Sequence, residues 1–451
     1  MRLISFVESI CPSPLQSILD RVKASPIGRR IASGAFWAVL GGGLAGVFSF
    51  LSMILVARIL GKELFGEFGL VRSTAMTFVT FSSFGMGLTA TKYIAELLQK
   101  DKERVGRIIG LSYLFTLLTS LLVAVTFYLA VPWLCETQLQ APHLAGVMKL
   151  GAVMLFISAI MGTQTCVMQG FQDFRGLAIA STASGAVMLP LYIAGSWYGG
   201  VWGAVICAVL AICLNFAINS AMVYRNTRRF HVRYSFRQSY KELPILWQSN
   251  LPIFLSATVY GFALWLAEIM LVMQPNGKAE LGIYYVAMSY QLVIIFVPQV
   301  LQSVFFPVIS ELNSNGNNGQ YWHVVKKNWL IQFGYSTVAC TPFLLFPSFF
   351  MGLAGKDYAK EWPALVGAVL VVIVRTSSDV TYRVLISKGW NWTQAIVNSI
   401  GCAIFLAAVW YSLHLNGGAV GLFYAYSFYV ICYMMMIMAL VVLKFRKDKF
   451  Q

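Results

Sequence analysis

A chain of 451 residues that is 58% hydrophobic and only 11% charged cannot be an ordinary water-soluble domain, whose charged share is roughly 25%. Apolar runs of about 20 residues recur along it, each long enough to cross a hydrocarbon core of roughly 30 Å. This predicts an all-α polytopic membrane protein and excludes a barrel, whose strands alternate over segments of ~10 residues. The net charge of +16 is accounted for by a topology bias and by attraction to anionic membrane lipids, so no nucleic-acid partner is expected.

In chain order, residues 1–30 offer neither a long apolar core nor a small-residue cleavage site. They are expected to form a cytoplasmic or interfacial segment, interrupted by Pro12, Pro14 and Pro26, rather than a signal peptide. Hydropathy then predicts twelve transmembrane helices. Six, near 33–57, 66–90, 108–131, 144–167, 176–197 and 201–223, make an N-lobe over 31–224. Six more, near 249–273, 283–308, 328–351, 363–386, 393–414 and 418–443, make a C-lobe over 246–443. A basic linker, 225–245, joins the lobes, and a basic tail, 444–451, ends the chain.

The first hairpin is repeated. Sliding the sequence by 216 positions lays Gly61-Lys62-Glu63-Leu64-Phe65-Gly66-Glu67-Phe68 over Gly277-Lys278-Ala279-Glu280-Leu281-Gly282-Ile283-Tyr284, with an apolar helix on each side of both. Glycine tolerates the positive φ of a short turn, and Lys and Glu suit the membrane boundary. Because six crossings separate the copies, the halves are expected to be parallel repeats related by a pseudo-two-fold along the membrane normal.

The termini and the even-to-odd links carry 24 of the 33 Lys and Arg residues, whereas the opposite loops carry 5: Arg58, Lys62, Lys278, Lys356 and Lys360. The positive-inside rule therefore predicts that both termini are cytoplasmic and that the Gly61 and Gly277 turns face the other side. The eight cysteines fall mostly within apolar runs at no metal or disulfide spacing. His143, His231, His323 and His414 are scattered, so no metal, cofactor or catalytic set is expected. Gly41-x-Gly43-x-x-Gly46 matches a dinucleotide fingerprint only as a string, since it lies inside a membrane span. Gly42 and Gly46 are instead expected to form a close-packing face.

Ionisable residues inside spans are informative because each costs about 2.5–3.5 kcal/mol by insertion scales unless it meets water or a partner. Lys149 is near a span end and can snorkel. Arg72 and Glu268 lie one to two turns in, where either snorkelling or cavity lining fits. In the tenth span, Arg375, Asp379 and Arg383 stand at i, i+4 and i+8 on one face. That face is either the lining of a wet cavity or a structural ion-pair ladder between helices. Arg375, at mid-span, is the one least able to snorkel.

Three stretches resemble the Wzx-type lipid-linked oligosaccharide flippases within the multidrug/oligosaccharidyl-lipid/polysaccharide exporter superfamily. Ala57-Arg58-x-Leu60-Gly61-x-x-x-Phe65-Gly66-x-Phe68 with Gly87-x-x-x-Ala90-Thr91-Lys92-Tyr93-Ile94-Ala95 is similar to that family's first hairpin. Gly282-x-Tyr284-x-x-Ala287 with Pro307-x-x-Ser310 is similar to its eighth helix. Lys92 stands where many relatives have Arg, which keeps the charge but loses the planar fork. The resemblance implies a two-lobed, non-enzymatic transporter of the bacterial inner membrane, working by alternating access. Its substrate would be a polyprenyl-diphosphate-linked oligosaccharide, as in O-antigen and other envelope polysaccharide synthesis, with other polysaccharide-assembly proteins as possible partners. An anionic diphosphate needs intramembrane cations, which Arg72, Arg375 and Arg383 could supply, while Asp379 would keep the substrate-binding cluster from being too cationic for release. If H+ or Na+ drives transport, Glu268 and Asp379 are the acidic candidates. A multidrug exporter of the same superfamily, and a membrane polysaccharide polymerase or ligase, are the alternative functions.

Overall fold

The structure, a computed structural model, describes residues 26–448 apart from 84–85, 140, 235, 237–238, 243–250 and 315–317. The expected interfacial segment before residue 26, part of the linker and the last three residues of the tail lie outside the described residues. The two ends of the bundle are the hairpin end, with the Gly61 and Gly277 turns, and the basic end, with most of the Lys and Arg.

Every long apolar run is helical, as it must be where no water is present to satisfy backbone N–H and C=O groups. Among the described residues, nine helical segments are long and apolar enough to span a membrane, and two of these are far too long for a single crossing. Pro26–Ser83 contains Gly61 at φ 75°, ψ 177°, and Phe174–Phe230 contains Gly200 at φ 54°, ψ −135°. Neither conformation can continue a right-handed helix, and glycine reaches both without a Cβ clash. These glycines divide the segments into α1 (26–60), α2 (62–83), α5 (174–199) and α6 (201–230). The others are α3 (Lys102–Trp133), α4 (Ala145–Gly170), α7 (Leu251–Val272), α8 (Gly277–Ser314), α9 (Asn318–Leu345), α10 (Trp362–Ser387), α11 (Asn391–His414) and α12 (Gly418–Asp448). α9 carries too many polar residues to be one of the nine, so the architecture is consistent with twelve crossings in a six-plus-six arrangement.

The boundaries follow local chemistry. Asp101 caps α3 by accepting from Arg104 N–H at 2.9 Å. Asp173 caps α5 by accepting from Gly176 N–H at 2.9 Å. Glu280 of α8 reaches across to accept the Ala419 N–H at 2.7 Å, satisfying an orphan donor where α12 begins. The ninth span, expected to run to 351, stops at Leu345 because Pro347 starts a separate short helix, Pro347–Gly352. In the second hairpin the left-handed residue is Asn276 (φ 59°), not Gly277. Gly277 is needed for space: a Cβ there would overlap the Leu271 and Val272 carbonyl oxygens.

The packing is that of a membrane protein. Along α3, Ser112, Thr116, Ser120 and Ala124 are buried, and Thr116 Oγ1 lies 2.9 Å from Thr163 Oγ1 of α4. Leu118, Leu122 and Leu129 point outward and are exposed. Small and hydroxylated side chains let helices approach closely, while leucine meets lipid. Trp133, Trp197, Tyr198, Trp362, Trp410 and Tyr411 are exposed at the hairpin end, an aromatic belt of the kind found at headgroup level. The expected glycine face of α1 is placed differently. Gly41 is pressed against the Ala178 backbone of α5 and Gly42 faces the Phe296 ring of α8, whereas Gly46 has nothing within 4 Å.

Two features organise the lobes. At the hairpin end one apolar core runs through both, with Phe65, Phe68 and Tyr192 on one side and Leu281, Tyr284 and Phe423 on the other. At the basic end each lobe has its own: Ile94, Ile109, Val167 and Phe171 in the N-lobe, and Ile309, Tyr321, Val380 and Val384 in the C-lobe. Among the described residues, the lobes are thus packed together at one end and separately cored at the other. The linker is strapped to the N-lobe by Glu242, whose buried carboxylate accepts from Arg104 Nε at 3.1 Å and Arg107 Nε at 3.3 Å.

Candidate functional site

The repeated turns meet at the pseudo-two-fold. A Cβ on Gly66 would overlap the Lys278 carbonyl oxygen, and a Cβ on Gly282 would overlap the Lys62 carbonyl oxygen. These four residues are paired by the same 216-residue shift that aligns the hairpins, so the contact is reciprocal, as a two-fold interface requires. The two lysines also cross between lobes. Lys62 Nζ lies 2.7 Å from Glu361 Oε1 of the C-lobe. Lys278 Nζ lies 2.8 Å from Glu67 Oε1 of the N-lobe, an oxygen that His143 Nε2 also approaches at 2.8 Å. Glu67 is buried, and these partners satisfy its Oε1. Neither carboxylate is foreseeable from sequence: the partners are 299 and 211 positions away.

Beneath this closure a cavity of about 630 Å³ lies between the lobes. α1 lends it Gly43, Gly46, Phe50 and Met53; α2 lends Phe65, Phe68, Arg72 and Met76; α8 lends Tyr285, Met288, Leu292 and Phe296. Glycines on α1 leave the space open. Among the described lining residues Arg72 is the single charge. Its Nη1 rests 3.5 Å from the Met53 sulfur, a weak acceptor, so the guanidinium keeps most of its donors for a ligand.

One wall of the cavity is tied across the lobes. Tyr285 Oη donates to Glu268 Oε2 at 2.9 Å and lies 2.8 Å from Ser73 Oγ of α2. Glu268, buried on α7, is therefore one hydrogen bond removed from the cavity. The Tyr285 ring fills the hollow left by Gly69. Trp265 Nε1 adds a second link, donating to Thr74 Oγ1 at 3.0 Å.

Arg375 and Asp379 do not share Arg72's cavity. They line a separate pocket of about 260 Å³ inside the C-lobe, among α7, α10, α11 and α12. Its walls include Tyr260, Tyr382, Tyr426, Tyr429 and Tyr433. Tyr260 Oη and Tyr426 Oη are 2.5 Å apart. Gln394 Nε2 donates to Ser256 Oγ at 3.0 Å, Asn398 Nδ2 to the Ser256 carbonyl at 3.0 Å, and Tyr429 Oη to Asn398 Oδ1 at 3.1 Å. Arg383 lines neither cavity; its guanidinium stands 5.3 Å over the Phe306 ring. The i, i+4, i+8 stripe is thus split, and no ion pair within 4 Å joins its members. Sequence reasoning missed the tyrosines, although Tyr426, Tyr429 and Tyr433, at i, i+3 and i+7, announce a single helix face. Lys149, expected to snorkel, sits 5.1 Å over the Tyr128 ring.

The profile of the family described as Polysaccharide biosynthesis protein matches residues 31–313. The chain is 22% identical over 416 residues, 92% of each chain, to the EPS I polysaccharide export inner membrane protein EpsE of Ralstonia nicotianae. Among solved structures it resembles an inward-facing multidrug resistance MATE family transporter of the MOP superfamily at a TM-score of 0.74 and 16% identity. That match covers 90% of this chain and 99% of the other. It also resembles a MOP superfamily transporter from Pyrococcus furiosus at a TM-score of 0.67 and 15% identity, covering 92% and 95%. At these identities the structural likeness establishes the fold.

Proposed function

The chain belongs to the polysaccharide biosynthesis protein family, and from that premise we propose that it is a flippase of the bacterial inner membrane. It would carry a polyprenyl-diphosphate-linked oligosaccharide between leaflets by alternating access of the cavity between its lobes. The observation that carries this is the lone guanidinium of Arg72 in an inter-lobe cavity lined mainly by apolar and aromatic residues, with Ser49, Ser73 and Ser289 among them. A diphosphate joined to a long isoprenoid needs a planar, permanently charged fork beside an apolar surface, and arginine pairs with phosphate oxygens two at a time. A cationic drug would meet a like charge there.

In this proposal the basic end is cytoplasmic, following the positive-inside bias. The shared core and crossed lysine pairs at the hairpin end support a state closed toward the periplasm. The separate cores at the basic end support entry of substrate from the cytoplasmic side. Glu268 is the coupling candidate that the geometry favours, because Tyr285 connects it to Ser73 on the other lobe. A change in its protonation alters which groups Tyr285 can donate to, and so biases the lobe contact.

The test is reconstitution. Proteoliposomes holding the chain should speed the passage of extracted lipid-linked glycan between leaflets, and should not expel ethidium. Expulsion of ethidium without movement of the glycan lipid would replace this reading by the multidrug one.

A further inference from the structure

We propose that the pocket inside the C-lobe is a sugar subsite, which takes one sugar ring of the glycan while Arg72 holds the diphosphate. This rests on the flippase reading and assigns the part of the substrate that the central cavity leaves unrecognised.

Charge is the first argument. Arg375 and Asp379 are the charged residues lining the pocket, and they cancel, whereas the central cavity keeps the uncompensated Arg72. A diphosphate beside Asp379 would be repelled, while a neutral polyol meets a donor and an acceptor together. The second argument is unused hydrogen-bonding capacity. Among the described residues, neither Arg375 nor Asp379 makes a hydrogen bond or an ion pair within 4 Å, although one helical turn separates them and they could pair. Each has a planar group that engages two neighbouring hydroxyls at once, the arginine donating and the carboxylate accepting. A structural ion-pair ladder would have closed; this one stands apart in a lined space.

Shape and place complete the case. Tyr426, Tyr429 and Tyr433 follow one another along α12 with ring centroids 5.7 and 5.9 Å apart, and Tyr260 lies 6.4 Å from Tyr429. Aromatic faces suit the C–H side of a pyranose. The volume of about 260 Å³ lies just below the roughly 300–1,000 Å³ of drug-sized sites, so it suits a ring or two rather than a repeat unit. The lining residues of α7, α10 and α11 sit on the half of each helix nearer the basic end, where the proposal has the substrate enter, and those of α12 lie towards its middle.

The full-length protein in lipid nanodiscs should be titrated with two probes: the lipid-linked glycan extracted from cells expressing the chain, and bare undecaprenyl diphosphate. The wild type should bind the glycan lipid about tenfold or more tightly than undecaprenyl diphosphate, as expected for hydrogen bonds to charged groups. Asp379→Asn and the milder Tyr382→Phe should each shrink that advantage and leave undecaprenyl diphosphate binding unchanged; Arg72→Ala should weaken both probes. Two results overturn the subsite while leaving the flippase standing: no glycan advantage in the wild type, or an undiminished advantage in Tyr382→Phe. Equal weakening of both probes by Tyr382→Phe overturns it too, because the pocket would then act only through the fold. If neither probe binds the wild type, subsite and flippase fall together.

Discussion

Among single residues, Arg72 is the one whose role is set by its surroundings more than by its depth. Its neighbours are mainly apolar, its hydrogen-bond partner is the Met53 thioether, and it faces the space between the lobes. Arg72→Ala should cut transport of lipid-linked glycan by about tenfold or more, and Arg72→Lys should fall between, since lysine keeps the charge but not the fork. A reconstituted transport rate reads this directly. Asp173 makes a contrasting case at the basic end. Burial alone would raise its pKa, but hydrogen bonds from Asn226, the Gly176 N–H and Arg225 outweigh this and hold it below the ordinary aspartate value. A carboxylate so lowered stabilises the fold fully above pH about 4, and the contribution is lost as pH falls through the lowered native value. Asp173→Asn should therefore melt below the wild type at pH 7 and converge on it in acid, which a melting series across pH will test.

At the scale of elements, the turns carry the lobe contact. Gly66 and Gly282 each face a backbone carbonyl of the opposite lobe, and a carbonyl cannot rotate aside as a side chain can. Gly66→Ala or Gly282→Ala should destabilise the closed hairpin end by about 1–3 kcal/mol, as overpacking does. Gly46→Ala, with open space before it, should leave that closure unchanged. Distances between labels on the two lobes would report the shift.

The spans and the duplication were legible in the sequence because each depends on local properties: apolar length, glycine turns, charge at helix ends. The spacing of Arg375, Asp379 and Arg383 puts them on one helix face, yet that helix turns its residues toward different neighbours. Periodicity gives a side chain's angle about its own axis and not which of several packed helices it meets. The Lys62–Glu361 and Lys278–Glu67 pairs escaped for the same reason, their partners being chosen by tertiary packing.

For the whole molecule, the described residues form two lobes that share a core at the hairpin end. Under the proposed alternating access, opening the hairpin end would break the Lys62–Glu361 and Lys278–Glu67 pairs and the reciprocal glycine contact, while a second closure would form at the basic end. Because Glu67 is buried and Glu361 more exposed, Lys278→Glu should favour the open hairpin end more than Lys62→Glu. Glu361→Lys should restore closure only in the Lys62→Glu background, and accessibility of a cysteine at Gly69 would show it.

The central claim, that substrate crosses by alternating opening of the inter-lobe cavity, is met most directly by tying the hairpin end shut. In a Lys62→Cys/Glu361→Cys variant, transport of lipid-linked glycan should be measured before and after bridging the two thiols with a short bismaleimide. The account predicts that the bridged protein still binds the glycan lipid but no longer moves it, while each single-cysteine variant treated alike keeps its rate. Transport by the bridged protein at the unbridged rate would contradict it.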